Sequence, residues 1–194
     1  PEQVPYNTIT YEVVDCDAHK ELNRKAAKQC VVLLKNENNL LPLDATKVRT
    51  VGVIGPNANN RNALIGNYDG TASEYITVLE GIKQTLPKET RVFYSEGCHL
   101  FKKKMSNLSQ ENDRIAEVRA VCEQSDVIIA CMGLDPGLEG EEGDQGNQFA
   151  SGDKVTRQLP GIQEEVLKTI KECGKPVILV LLSGSALAIP WADE

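Results

Sequence analysis

The apolar run Asp126-Val127-Ile128-Ile129-Ala130-Cys131-Met132 passes directly into Gly133-Leu134-Asp135-Pro136-Gly137-Leu138-Glu139-Gly140-Glu141-Glu142-Gly143-Asp144. Apolar residues without alternation describe a strand buried on both faces, the habit of parallel sheets. The glycine-rich segment after it carries five carboxylates, Asp135, Glu139, Glu141, Glu142 and Asp144. Open α/β sheets place ligand chemistry on loops at the carboxyl ends of strands. A carboxylate cluster there is costly unless something uses the charge: a metal, a proton transfer or a polyhydroxylated ligand.

Outward from this point, helices and strands alternate. Val51-Gly52-Val53-Ile54-Gly55 reads as a strand that empties into Pro56-Asn57. Residues 75–86 read as a helix with Ile76, Leu79, Ile82 and Leu86 on one side, ended by Pro87. Arg91-Val92-Phe93-Tyr94 is the next strand, and 108–125 the next helix, with Ile115, Val118, Val121 and Cys122 inward. After the central strand come a helix over 161–173, closed by Gly174, and a strand over 177–182. The fold class expected is therefore α/β: a mostly parallel sheet with helices on both faces, linked by right-handed crossovers. Upstream, 18–35 has helical spacing, with Asp17 placed to cap it, and 1–17 reads as an extended arm.

Composition narrows the function. A chain of 194 residues with 41% hydrophobic and 25% charged residues is long enough for a sizeable core. A net charge of -7 argues against nucleic acid, which needs a positive surface. No apolar run approaches the roughly 20 residues that span a bilayer, so no membrane partner is expected. Lys102-Lys103-Lys104 reads as a solvated basic run. Six cysteines at irregular spacings show no C-x-x-C pair and read as reduced thiols, which points to a cytoplasmic compartment unless a leader lies upstream. The chain begins on Pro and stops at Trp191-Ala192-Asp193-Glu194 without a tail composition, so it reads as an internal piece of something larger.

Four chemistries compete for the acidic loop. A nucleotide site is unsupported, because Gly52-Val53-Ile54-Gly55-Pro56-Asn57-Ala58-Asn59-Asn60 matches neither phosphate-binding glycine pattern and Pro56 has no backbone donor. Calcium would accept these oxygen ligands, but the spacing is not that of an EF-hand. His19 and His99 lie far apart without zinc spacing, and His99 either lines a pocket or packs at the surface. Neither a metal nor an organic cofactor is expected. Ser183-Gly184-Ser185 lacks the nucleophile elbow of the α/β-hydrolases. Glycoside cleavage fits best: one carboxyl group protonates the leaving oxygen and a second attacks the anomeric carbon. Crowded carboxylates raise the proton affinity that the acid requires. The competing reading is a solvated acidic loop.

Several segments together resemble the second domain of glycoside hydrolase family 3, the β-glucosidases and β-xylosidases. Arg24-Lys25-Ala26-Ala27-Lys28-Gln29-Cys30-Val31-Val32-Leu33-Leu34-Lys35-Asn36, leading into Asn39-Leu40-Leu41-Pro42-Leu43, is similar to the helix and turn at entry to that domain. Val53-Ile54-Gly55-Pro56-Asn57-Ala58 with Gly66-Asn67-Tyr68 resembles its first strand and loop. Gly133-Leu134-Asp135 with Glu139-Gly140-Glu141-Glu142-Gly143-Asp144 resembles its acidic loop. Ser151-Gly152-Asp153-Lys154, Leu159-Pro160-Gly161-Ile162-Gln163 and Leu182-Ser183-Gly184-Ser185-Ala186-Leu187 follow in order.

The resemblance implies residues 1–17 as an arm from a preceding (β/α)8 barrel and 18–194 as an α/β sandwich incomplete at its C-terminal end. It implies a retaining enzyme that cleaves terminal β-linked glucose or xylose, with the active site between the domains. The nucleophilic aspartate would lie on the barrel, and the acid/base on this domain. Glu139 is the expected acid/base, with Glu141 and Glu142 as competitors. Asp135 and Asp144 are expected to shape the loop by capping backbone donors, and Asp153 and Lys154 to make a further loop contact. The isolated chain is expected to be inactive. A non-catalytic module binding carbohydrate or protein on the same fold is the alternative.

Overall fold

The computed structural model describes residues 3–65, 70–104, 106–112, 114–138, 154 and 156–192, apart from the side chain of Trp191. The chain divides into two compact units, Pro1–Leu43 and Asp44–Glu194.

In the first unit helix α1 spans Asp17–Cys30. Asp17 is its first residue rather than its cap: Cys16 holds the cap position and no side chain caps the helix. The Asp17 carboxylate sits in the first turn, where it suits the positive end of the helix dipole. The helix stops short of Lys35 because Val31 takes extended backbone (φ -75°, ψ 124°). Val31-Val32 are β-branched and lose side-chain freedom in a helix. Asn36 then brackets the apolar turn Leu40-Leu41-Pro42-Leu43: its Nδ2 donates to the Leu41 carbonyl at 2.7 Å and its Oδ1 accepts the Leu41 N–H at 3.0 Å.

The second unit holds four parallel strands: β1 (Thr50–Ile54), β2 (Arg91–Ser95), β3 (Val127–Gly133) and β4 (Val177–Leu182), in the order β2-β1-β3-β4. The connecting helices are α2 (Val78–Thr85), α3 (Ile115–Glu123) and α4 (Gln163–Glu172). The step from β1 to β2 runs one way across the sheet, and the steps to β3 and β4 run the other way. Right-handed crossovers therefore put α2 on one face and α3 and α4 on the opposite face. Ile54, Ile128, Ala130 and Met132 pack with Val118 and Cys122 of α3 and Val166, Leu167 and Ile170 of α4. Their neighbours Val51, Val53, Ile129 and Cys131 point to the other face and are also buried. Burial on both sides explains the unbroken apolar runs. Each such large side chain contributes about 1.5–3 kcal/mol.

The helix ends follow local chemistry. Thr77 caps α2 with a reciprocal box: its Oγ1 accepts from the Glu80 N–H at 3.3 Å, and the Glu80 carboxylate accepts the Thr77 N–H at 2.8 Å. This box starts the helix at Val78, inside the expected 75–86. Helix α3 begins at Ile115 rather than Leu108, because Asn112 takes a left-handed backbone (φ 63°) that no helix accommodates. Gly174, at φ 67°, follows α4 and donates to the Lys171 carbonyl at 3.0 Å.

Candidate functional site

The chain leaves β1 for β2 on one side of the sheet and leaves β3 for β4 on the other. Between β1 and β3 their loops diverge, and in open α/β sheets ligands bind at that opening. In the Gly55–Asn60 loop after β1, the backbone donors of Gly55, Asn57 and Ala58 turn into the protein. The Gly55 N–H goes to Ser95 O at 3.1 Å, Asn57 to Cys131 O at 3.3 Å and Ala58 to Gly55 O at 3.1 Å. Pro56 has none to give. The stretch Gly55–Ala58 thus offers no free N–H array of the kind that binds phosphate.

Instead this loop reaches across to the residues that follow β3. The Asn57 side chain, 1% exposed, donates from Nδ2 to the Leu134 carbonyl at 2.7 Å. Asn60 Nδ2 donates to Asp135 Oδ2 at 3.0 Å. From the other face, Gln163 at the start of α4 accepts the Gly133 N–H at 2.8 Å and donates to the Gly133 carbonyl at 2.9 Å. Three successive residues, Gly133, Leu134 and Asp135, are each held by a different side-chain amide. The bonds on Gly133 and Leu134 join side-chain amides to backbone groups, neither of which titrates, whereas the one on Asp135 ends on a carboxylate. Gly133 has φ 133°, and a Cβ there would collide with the Leu182 carbonyl, to which Leu134 donates at 2.8 Å. Only glycine fits that approach.

Asp135 shapes the loop as expected: Oδ1 accepts the Gly137 N–H at 3.0 Å, and its carbonyl accepts the Leu138 N–H at 3.0 Å. Leu138 is fully buried with Leu134 and Leu100, flanked by Phe101 and Leu187. The acidic loop is therefore anchored up to the residue before Glu139. Glu139, Glu141, Glu142, Asp144 and Asp153 lie outside the described residues, as does Gly66-Asn67-Tyr68. Lys154 Nζ is buried, and among the described residues it has no hydrogen-bond partner. Asn57 Oδ1 has the same standing.

The loop after β2 forms the adjoining rim. Ser95 Oγ donates to Glu117 Oε2 at 3.0 Å and accepts the Gly97 N–H at 3.1 Å, and Arg114 pairs with Glu96 at 2.9 Å. His99 is half-buried and lines a crevice of about 10 Å³, room for one water, with Gly97, Cys98 and Arg114. Its Nδ1 accepts the N–H groups of Phe101 at 3.2 Å and Lys102 at 3.1 Å, so Nε2 carries the ring proton. Burial, then the Lys102 ammonium, hold its pKa below the ordinary value. Burial pushes the Cys98 and Cys131 thiols up to about 12, so neither is a nucleophile at neutral pH. Ser183 Oγ donates to the Ser185 carbonyl at 2.6 Å and accepts its N–H at 3.2 Å, a local turn that engages the hydroxyl with backbone. Among the described residues, no three His, Cys, Asp or Glu side chains gather as metal ligands.

Asn57, Asn60 and Gln163 were not singled out from the sequence for any role. Gln163 closes the segment Leu159-Pro160-Gly161-Ile162-Gln163 and is followed by Glu164 and Glu165, so its setting in the sequence does not mark it as buried.

Residues 31–194 match the Glycosyl hydrolase family 3 C-terminal domain. Among curated relatives, a β-xylosidase of Formosa agariphila is 32% identical over 200 residues, which cover 100% of this chain and 25% of that protein. Beta-D-xylosidase 1 of Arabidopsis thaliana is 33% identical, over 98% of this chain and 22% of its own length. A periplasmic β-glucosidase of Salmonella typhimurium is 30% identical, over 93% and 25%. Among solved structures, a GH3 exo-β-xylosidase in complex with a xylobiose aziridine activity-based probe superposes with TM-score 0.81 at 27% identity, covering 100% of this chain and 22% of that one. A β-glucosidase from Erythrobacter marinus gives TM-score 0.75 at 29% identity, over 91% and 25%. The chain thus spans about a quarter of the length of the curated relatives it matches.

Proposed function

The chain belongs to glycosyl hydrolase family 3, as that family's C-terminal domain, and on this premise we propose that it supplies the general acid/base of a retaining β-glycosidase. The substrates are β-linked glucosides or xylosides, cleaved at the terminal non-reducing sugar. The names of the relatives, β-xylosidases and a β-glucosidase, support that substrate class.

Glu139 is the acid/base, with Glu141 and Glu142 as competitors. The nucleophilic aspartate resides on a preceding (β/α)8 barrel. In the first step the Glu139 carboxyl proton passes to the glycosidic oxygen as the aspartate carboxylate bonds to the anomeric carbon and the alcohol leaves. In the second, Glu139 takes a proton from water, whose oxygen bonds to the anomeric carbon as the aspartate departs, and the configuration is retained.

The observation that carries this reading is the fixed root of the acidic loop at the topological switch point. A solvated acidic loop needs no such anchoring, whereas a proton donor must be held in register with the scissile oxygen. The test is the full-length gene product assayed on aryl β-xylosides and β-glucosides, with Glu139→Ala beside it. Loss of about 10²-fold or more on poor leaving groups, and much less on activated ones, is expected. Equal loss on both, or none, moves the role to Glu141 or Glu142. The 194 residues alone should not turn over these substrates, and turnover by them would contradict the division of labour.

A further inference from the structure

We propose that Gln163 is a positioning residue for the acid/base, acting through the backbone of Gly133 and touching no substrate. The proposal rests on the reading of Glu139 given above. Gln163 is wholly buried at the start of α4. Its Oε1 accepts the Gly133 N–H at 2.8 Å, and its Nε2 donates to Gly133 O at 2.9 Å and to Leu100 O at 2.7 Å. Both amide hydrogens and the amide oxygen are engaged, so the side chain has a single orientation.

The side chain acts at the point where β3 leaves the sheet. It supplies partners for both backbone groups of Gly133, while the Leu182 carbonyl holds the next residue through the Leu134 N–H at 2.8 Å. Through Leu100 it also fastens the loop after β2 to the same root. Gly161 permits that approach: a Cβ there would lie 2.9 Å from the Phe101 carbonyl carbon. Leu100 then packs on Leu134 and Leu138, and Leu138 immediately precedes Glu139. The path from Gln163 to the acid/base is thus one hydrogen-bonded residue and a short segment turned by Asp135 and pinned at its two ends by the buried Leu134 and Leu138. Packing alone does not call for an amide here. A methionine has similar volume and suits the apolar surroundings, but it cannot donate twice and accept once. A proton donor displaced by about 1 Å loses up to about 10²-fold in rate.

The test uses the full-length gene product and two β-glycosides of one sugar: a dinitrophenyl glycoside, whose leaving group needs no proton, and a disaccharide, whose leaving group does. Gln163→Met should lower kcat/KM on the disaccharide about tenfold or more relative to the dinitrophenyl glycoside, the same bias that Glu139→Ala shows. An equal fall on both substrates, or no fall, overturns the positioning role and leaves Gln163 a packing residue. If Gln163→Met does not accumulate as folded protein, Gln163→Glu carries the same comparison. It keeps the shape and the acceptor, and its bias relative to wild type should shrink as pH falls, because the protonated acid regains one donor; a bias that is absent, or that does not change with pH, overturns the proposal. If none of Glu139→Ala, Glu141→Ala and Glu142→Ala shows the bias, the acid/base reading fails and this proposal fails with it. If Glu139→Ala shows the bias and the Gln163 variants do not, only the positioning role is lost.

Discussion

Asn57 donates from Nδ2 to the carbonyl oxygen of Leu134 at 2.7 Å, joining the loop after β1 to the loop after β3 across 77 residues of sequence. The bond spans the opening between the two strands at which the crossovers diverge, and it is buried on both sides. Leu134 itself is 3% exposed, so its carbonyl has no recourse to water.

Removing that donor should destabilise the fold without disturbing the sheet. Asn57→Ala leaves the Leu134 carbonyl unsatisfied, at a cost of about 1–3 kcal/mol. Asn57→Asp should cost more at neutral pH, because a carboxylate then faces the same oxygen. Denaturant unfolding of the purified chain measures both. An Asn57→Ala midpoint matching wild type would mean that the bond does not form.

Acidification should act through His99. Its pKa is held below the unfolded value of about 6.5, so on lowering the pH the unfolded chain takes the proton first. The contribution of neutral His99 is whole above about pH 6.5 and is lost progressively as the pH falls toward its depressed folded value. Protonation would also set a ring N–H against the Phe101 and Lys102 N–H groups. A proton NMR titration of the His99 ring reads this directly, and a midpoint above 6.5 would contradict the geometry.

The cysteines should separate by reactivity. Cys30 is exposed, whereas Cys98, Cys122 and Cys131 are buried. Burial pushes all three buried thiols up to about 12, helped at Cys122 by a hydrogen bond with Cys173. Iodoacetamide at pH 8 should modify Cys30 while these three stay intact until denaturant is added. Peptide mass spectrometry gives the order, and early labelling of Cys131 would show that the central strand is not packed as described.

The centre of the sheet could be read from the chain, because Val127 to Met132 are buried by neighbours on both faces and carry the mark of it in every residue; Val177 to Leu182, half-buried beside β3, carry an apolar run as well. Helix ends were harder. Asn112 at φ 63° and the extended Val31 are single-residue backbone choices that apolar periodicity does not register. At the site, Asp135 was legible because its partner, Gly137, is two residues away. Asn57, Asn60 and Gln163 were not. Their bonds close over 77, 75 and 30 residues. Two of the three end on backbone groups, which every residue possesses and which leave no trace in the partner's identity.

The most direct test of the acid/base assignment is azide rescue of Glu139→Ala in the full-length gene product with an activated aryl β-glycoside. With the carboxyl group gone, the covalent glycosyl-enzyme should accumulate, and azide, which needs no general base, should attack it. The expected result is a faster turnover with added azide and a β-glycosyl azide as product, seen in Glu139→Ala and in neither Glu141→Ala nor Glu142→Ala. Rescue confined to one of the other two variants, or no glycosyl azide from any of them, would contradict the account.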